Sequence, residues 1–292
     1  MDSTWRTTST SFSSGSRGRA SSPGRDTDMG SNENLALRSI RLIEEGGVAS
    51  FLRVGKLYAV GWFTAFVWAV KYGIDPRRGL RAAMSTEVPI FRDLFANLRA
   101  DDVFYDVGAH TGLFTEPVAS MLGRDRVVAF EPGDGATRLK RRLADAQLEA
   151  TVVEKAISNE GSEQYYSHSG RVGLLGDTDA PEFTTTNAVE ILDDDELPTP
   201  TVVKIDVFGA EGDVVKGLEE ILSRDECRLV YLEVHLPMTF QRKRPEHIFE
   251  NFLERWSLTE VVEVLFRCGF DVVPIHLRSE TDDLFIKAEK TP

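Results

Sequence analysis

Cysteine is nearly missing from this chain of 292 residues: Cys227 and Cys268 stand alone, without a C-x-x-C spacing. That excludes a disulfide framework and a thiolate zinc site, and points to two buried small hydrophobes in a reducing, cytoplasmic compartment. Basic charge is also short, with 34 Lys and Arg against 47 Asp and Glu and a formal net charge of −13. Phosphate backbones need clustered Lys and Arg, so no nucleic-acid partner is expected. A long hydrophobic run is missing too. The longest apolar stretch, 57–70, falls short of the ~20 residues a spanning helix needs. No secretory signal is expected, because residues 1–33 are rich in Ser, Thr, Gly and Arg and nearly empty of aliphatic side chains. Such a tail cannot bury enough surface to offset its ordering entropy, so 1–33 is expected to be disordered.

After residue 100 the pattern alternates as βα units do. Strands are expected at 103–107, 126–130, 151–157, 202–206 and 228–234, with closing strands at 270–275 and 284–288. Helices are expected at 111–122, 134–146, 211–222, 247–256 and 258–268. Seven strands with helices between them predict a doubly wound α/β sheet. The last two strands are joined by too short a link for a parallel crossover, so an antiparallel edge strand is expected. The domain reading is therefore a disordered tail at 1–33, an N-terminal helical extension at 34–100 and a ligand-binding α/β domain at 101–292. Residues 158–186 lack a helical period and read as hairpins and loops.

The stretch Asp106-Val-Gly-Ala-His-Thr-Gly112, with Glu131 nineteen residues after Gly112, reads as strand, glycine turn, helix and a second strand ending on a carboxylate. In an open parallel sheet this places a nucleoside ligand outside the carboxyl ends of the strands. Glu131 can accept hydrogen bonds from both ribose hydroxyls. A dinucleotide pyrophosphate needs G-x-G-x-x-G, but Ala109 and His110 put side chains where bare backbone is required. S-adenosyl-L-methionine, which has ribose and adenine but no phosphate, suits the spacing better. In this reading Gly108, Ala109 and Gly112 contact the methionine portion, Asp106 reaches its ammonium directly or through water, Ala156 and Ile157 flank adenine, and His110 is a further cofactor-binding residue. A nicotinamide-dependent oxidoreductase stays as the alternative.

Four further groups sit at the carboxyl ends of later strands. Asp206 ends an apolar strand, Glu211 opens the next helix, and Glu233 and His235 alternate along one strand and so share a face. These are the candidate catalytic residues, with a carboxylate or histidine as base and no residue assigned to a metal. The run 57–70, flanked by Lys56 and Lys71 and carrying Trp62 and Trp68, is either a packed helix or a peripheral membrane contact.

The pieces Asp106–Gly112, Phe130-Glu-Pro132, Ala156-Ile-Ser158, Lys204-Ile-Asp-Val-Phe-Gly-Ala-Glu-Gly212 and Leu232-Glu-Val-His235 resemble the FkbM-type family of S-adenosylmethionine-dependent methyltransferases. The resemblance implies a seven-stranded Rossmann-like methyltransferase sheet and O-methylation of a hydroxyl on a small-molecule or glycan acceptor. One departure stands out: Phe208 occupies a position where the family commonly has a glutamate. That keeps a catalytically silent binding module as a further alternative. His110, where an asparagine is common, is a milder change.

An acidic surface with Lys scarce beside Arg suits a salt-rich cytoplasm. Thermal unfolding followed against KCl is expected to move to higher temperature as salt screens the repulsion of the carboxylates. Equal stability at low salt would remove that reading.

Overall fold

A computed structural model describes residues 55–291, except 57, 86, 160–164, 169–170, 174–181, 208, 236–256 and 279–282. The tail 1–33, the expected helix 247–256 and Phe208 therefore lie outside the described residues. Residues 53–292 form one compact unit.

Three helices come first: α1 at 58–72, α2 at Pro76–Ala83 and α3 at Val88–Asn97. The Asp75 carboxylate accepts from the Arg77 and Arg78 amides and Pro76 opens α2, a standard helix start. The βα series follows as β1 (Phe104–Val107), α4 (Thr115–Leu122), β2 (Val127–Phe130), α5 (Asp134–Asp145) and β3 (Thr151–Val153). Then come α6 (Ala188–Leu192), β4 (Val202–Ile205), α7 (Glu211–Gly217), α8 (Glu219–Leu222), β5 (Leu229–His235), α9 (Leu258–Arg267), β6 (Asp271–Arg278) and β7 (Asp283–Glu289).

The main sheet has seven strands in the order β6-β7-β5-β4-β1-β2-β3. The run from β5 to β3 is parallel, and β7 is antiparallel to both β5 and β6. The central strands are buried throughout and read as near-continuous apolar runs, as a sheet covered on both faces requires. The antiparallel strand sits one place in from the edge. The outermost strand is β6, where Pro274, which has no amide to donate, lies beside the register shift between Pro274 and His276.

Three expected elements differ, one of them the helix 211–222, which is broken at Leu218 into α7 and α8. The helix after β1 begins at Thr115 rather than 111, because Gly112 is left-handed (φ 76°) and 111–114 form a turn. The expected strand 151–157 breaks in two. Val153 accepts the Glu131 amide, after which Ala156–Ile157 leave the sheet to pair with Thr185–Thr186. Ile157 thereby joins the core with Val214 and Val215 of α7. Within 158–186, Tyr165–His168, Arg171–Gly173 and Glu182–Phe183 make a small separate antiparallel sheet.

The N-terminal helices cover one face of the main sheet. Trp68, Ile74, Ile90, Phe91, Leu94 and Phe95 share a core with Phe104, Val127, Val202, Tyr231 and Phe285. Phe91 stacks on Phe114 of the β1–α4 turn with ring centroids 4.1 Å apart, so the extension is packed into the fold through aromatic burial.

Phe91→Ala removes a fully buried ring and is expected to lower unfolding stability by about 3–5 kcal/mol in a urea titration, with the whole transition shifting as one. An unmoved main transition beside a new early one would mean that the helices fold apart from the sheet.

Candidate active site

Strand parity sets up the site. Alternate residues of a strand share a face, and on the face covered by α1–α3 each central strand runs from an apolar residue to charged ones at its carboxyl end. In β1 Phe104 precedes Asp106; in β4 Val202 precedes Lys204 and then, just past the strand, Asp206; in β5 Leu229 and Tyr231 precede Glu233 and His235. Lys204 is the direct cross-strand neighbour of Asp106. Its ammonium lies 3.3 Å from Asp106 Oδ1 and 3.2 Å from Asp206 Oδ2, and over the Phe114 ring at 4.8 Å. Burial disfavours a charged lysine, but Asp206, Asp106 and Glu233 together hold its pKa above the ordinary value. Thr115, at the start of α4, donates its hydroxyl to Asp106 Oδ2 at 2.6 Å.

The glycine turn is tied to β2. The Gly108 and Ala109 amides both donate to the Phe130 carbonyl, at 2.9 and 3.3 Å. Gly108 is left-handed (φ 77°), and a Cβ there would meet the Asp206 carbonyl oxygen at 2.0 Å. The glycine thus admits the neighbouring chain at the end of β4. His110 also takes a left-handed conformation (φ 49°), which histidine and asparagine tolerate better than most residues. That conformation lets its amide donate to Glu131 Oε2 at 2.8 Å. Burial pushes the Glu131 carboxyl up to about 7, against the His110 amide, which favours the ionised form. A Cβ on Gly135 would meet Glu131 Oε1 at 2.0 Å, so the first turn of α5 has to be bare where the carboxylate lies.

Asp106, Gly108, Ala109, His110 and Glu131 are therefore brought together. The Ala109 methyl turns away into a core with Ala129, Leu139 and Leu143. Gly112 closes the turn against α5, where a Cβ would lie 2.7 Å from Leu139 Cδ1. Ile157 is 3% exposed and belongs to the core, whereas Ala156 is partly exposed.

The proposed catalytic groups converge as well. His235 Nδ1 lies 2.5 Å from Glu211 Oε1, and its Nε2 lies 3.8 Å from Glu233 Oε1. Glu211 Oε1 also accepts the Gly209 amide at 3.2 Å. Burial disfavours the His235 cation, but the charge and hydrogen bond of Glu211, reinforced by Glu233 and Asp206, raise its pKa to about 9. Burial likewise raises the Glu211 carboxyl against the opposing pull of His235. The two shifts disagree about where the shared proton rests. An oxygen accepting from two donors behaves as a carboxylate, so the geometry puts the proton on Nδ1 and assigns that tautomer.

Burial and the Asp206 charge hold the Glu233 carboxyl well above the usual range. Arg278 approaches Glu233 at 3.2 Å, but it is shared with Asp283 at 3.1 Å and with Glu87, so its single charge is divided. Asp206 is the partly open member, with 31% of its side chain exposed. Burial opposes its ionisation, yet Lys204, His235 and Arg278 keep its carboxyl below the ordinary range.

The sequence reading gave no role to Lys204, Arg278, Glu87 or Gly135. A lysine inside an apolar strand was the available clue to the first. The contacts of the others, across 191 residues between Arg278 and Glu87, leave no local pattern. Asp206, Glu233 and His235 each offer a ligand atom within 4.8 Å of the others, with Lys204 beside Asp206 and Arg278 beside Glu233 as competing cations. A small crevice lies between Glu87, Phe114, Lys204, Glu233 and Phe285.

The family model described as the methyltransferase FkbM domain matches residues 106–272. The chain is 26% identical over 154 residues to the hexuronic acid methyltransferase AglP of Haloferax volcanii, covering 51% of this chain and 62% of that protein. It is 28% identical over 188 residues to the AMB antimetabolite synthetase AmbE of Pseudomonas aeruginosa, covering 47% of this chain and 8% of that protein. The match thus spans less than two-thirds of the length of either relative. An O-methyltransferase from Bacillus cereus in complex with SAH aligns with a TM-score of 0.46 at 12% identity, covering 80% of this chain and 100% of that one; this is too loose a likeness to bear on function. The family match takes in the glycine turn, Glu131, the Asp206 to Glu211 loop and the Glu233-Val-His235 strand end, more than half of the chain, and by it this protein belongs to the methyltransferase FkbM domain family.

Proposed function

We propose that this enzyme transfers the methyl group to a hydroxyl of a sugar or glycan acceptor, with His235 as the base. The observation that carries the reading is the Glu211–His235 pair at the end of β5, beside Asp206 at the end of β4. The hexuronic acid named for the similar archaeal methyltransferase supports a sugar as the acceptor class.

The residues fit the methyl donor on their chemistry. Among the described residues, the carboxyl groups of Asp106, Asp206, Glu211 and Glu233 share the cations Lys204 and Arg278 and the imidazole, an arrangement that favours a ligand carrying ammonium and sulfonium charge. Glu131 has acceptor capacity left beyond the His110 amide for two ribose hydroxyls. When bound, S-adenosylmethionine supplies an electrophilic methyl group on sulfur. Everything else falls to the chain.

An unactivated sugar hydroxyl is a weak nucleophile, and in-line transfer depends chiefly on alignment. Glu211 is fully buried, so it acts as a positioning residue, fixing the imbibed proton on Nδ1 and leaving Nε2 as the basic atom. Asp206 is the weaker base, because Lys204 and its other cationic neighbours hold it ionised; being partly open, it orients the acceptor hydroxyl. With the methyl donor and an acceptor bound, His235 Nε2 would take the proton that the acceptor hydroxyl loses on methylation.

Two outcomes test this reading. Glu131→Ala is expected to weaken S-adenosylhomocysteine binding about tenfold to a hundredfold in calorimetric titration, the size of hydrogen bonds to a charged group. Binding as tight as wild type refutes the ribose role. In the wild type the base must be neutral, so with a panel of uronic-acid and hexose acceptors kcat/KM should climb with pH toward about 9. His235→Asn should lower the rate by ~10²–10⁴ and abolish that limb. Glu211→Gln should move the limb to lower pH by removing the charge that raises the imidazole. A limb that survives in His235→Asn assigns the base elsewhere.

A further inference from the structure

Helix α1 is apolar on both sides, and only one side is packed. Gly61, Ala65 and Trp68 face the protein. On the other side Val60, Trp62, Phe63, Phe66, Val67 and Val70 are 39–73% exposed. These six are the majority of the ten large apolar side chains that stand exposed among the described residues, so the surface is concentrated on one helix and is not the scattered exposure of an ordinary monomer. Its ends are basic. Lys56 and Lys71 flank the stretch and Arg77 follows it, all exposed, while Asp75, between Lys71 and Arg77 in the chain, is engaged in capping α2. In a chain of net charge −13, a local cluster of cations around an apolar face is a reversal of the general surface.

We infer that this face of α1 rests in the interface of an anionic lipid bilayer, with its aromatic and valine side chains among the acyl chain boundaries and Lys56, Lys71 and Arg77 among the headgroups. The local charge pattern selects this occupant. A second copy seated face to face would set Lys56, Lys71 and Arg77 against the same cations, whereas an anionic headgroup layer complements them. Trp62 has the amphipathic ring favoured at that depth. No described helix is long and apolar enough to cross a membrane, so the contact is one of lying on the surface.

The test is co-sedimentation of the full chain with phosphatidylcholine vesicles containing about one-third phosphatidylglycerol, against phosphatidylcholine alone. The wild type should pellet with the anionic vesicles and be largely released at high salt or on neutral vesicles. The double variant Phe63→Asp/Phe66→Asp should cut the bound fraction at least tenfold, and Lys56→Glu/Lys71→Glu should remove the preference for anionic lipid. Both alter exposed positions, and unchanged urea unfolding will show that they fold. Failure of the wild type to pellet, or pelleting that the Phe63→Asp/Phe66→Asp protein retains, overturns the proposal. So does a wild-type dimer in light scattering that this variant converts to monomer without vesicles ever being bound, since the face would then be occupied by a second copy.

Discussion

A lysine ammonium enclosed between two aspartates is the constraint on which the rest of the structure turns. Lys204 is almost completely buried, and Asp106 is buried entirely. Removing such charges from water costs several kcal/mol each, and only close, well-partnered geometry offsets it. The triad therefore fixes the register of β1 against β4 at the one level where both strands end. It also gives Gly108 its role. With the Asp206 carbonyl drawn to where a Cβ would sit, the turn after β1 and the loop after β4 cannot move independently, and the Asp206 amide closes the contact by donating to Val107. Asp206 is thereby presented at the strand ends with its charge settled.

From that point the charged row spreads across the sheet. Lys204 serves two aspartates, Arg278 serves Glu233, Asp283 and Glu87, and His235 rests on Glu211. Cations are shared because carboxyl groups outnumber them; burial together with that excess raises the Glu233 carboxyl, and the excess raises His235 against its burial. The Arg278 contacts also tie the β6–β7 hairpin to Glu87, at the start of α3. The helical extension is thus bound to the site by charge as well as by the aromatic packing of Phe91 and Phe114. A mutation in that extension can reach the site without touching a substrate.

How much of this was legible in the sequence depended on how local the cause was. The strands and the antiparallel closing pair followed from apolar runs and link lengths, which are local. The position of β7 inside β6 did not, because it depends on which strand tolerates Pro274 at an edge. Glu131 and the left-handed turn were legible as motif, but their physical reasons were not: Gly108 makes room for a neighbouring chain, and Gly135 makes room for a carboxylate. The break after Val153 was hidden because Ala156 and Ile157 continue the apolar pattern of the strand while pairing elsewhere. The candidate bases were legible as residue types at strand ends. Their division into His235 on Glu211 and Asp206 on Lys204 required distances.

The same geometry bears on Phe208, which stands where the family commonly has a glutamate. Gly209, next in sequence, is left-handed at φ 95°, and its amide donates to the Val207 carbonyl at 2.7 Å and to Glu211 Oε1. Asp206 is held by Lys204, and His235 is held by Glu211. None of these contacts draws on a carboxylate at position 208. The described contacts that hold Asp206 and His235 are thus in place without a glutamate at 208, and the loss of that glutamate by itself gives no reason to regard the chain as a silent binding module.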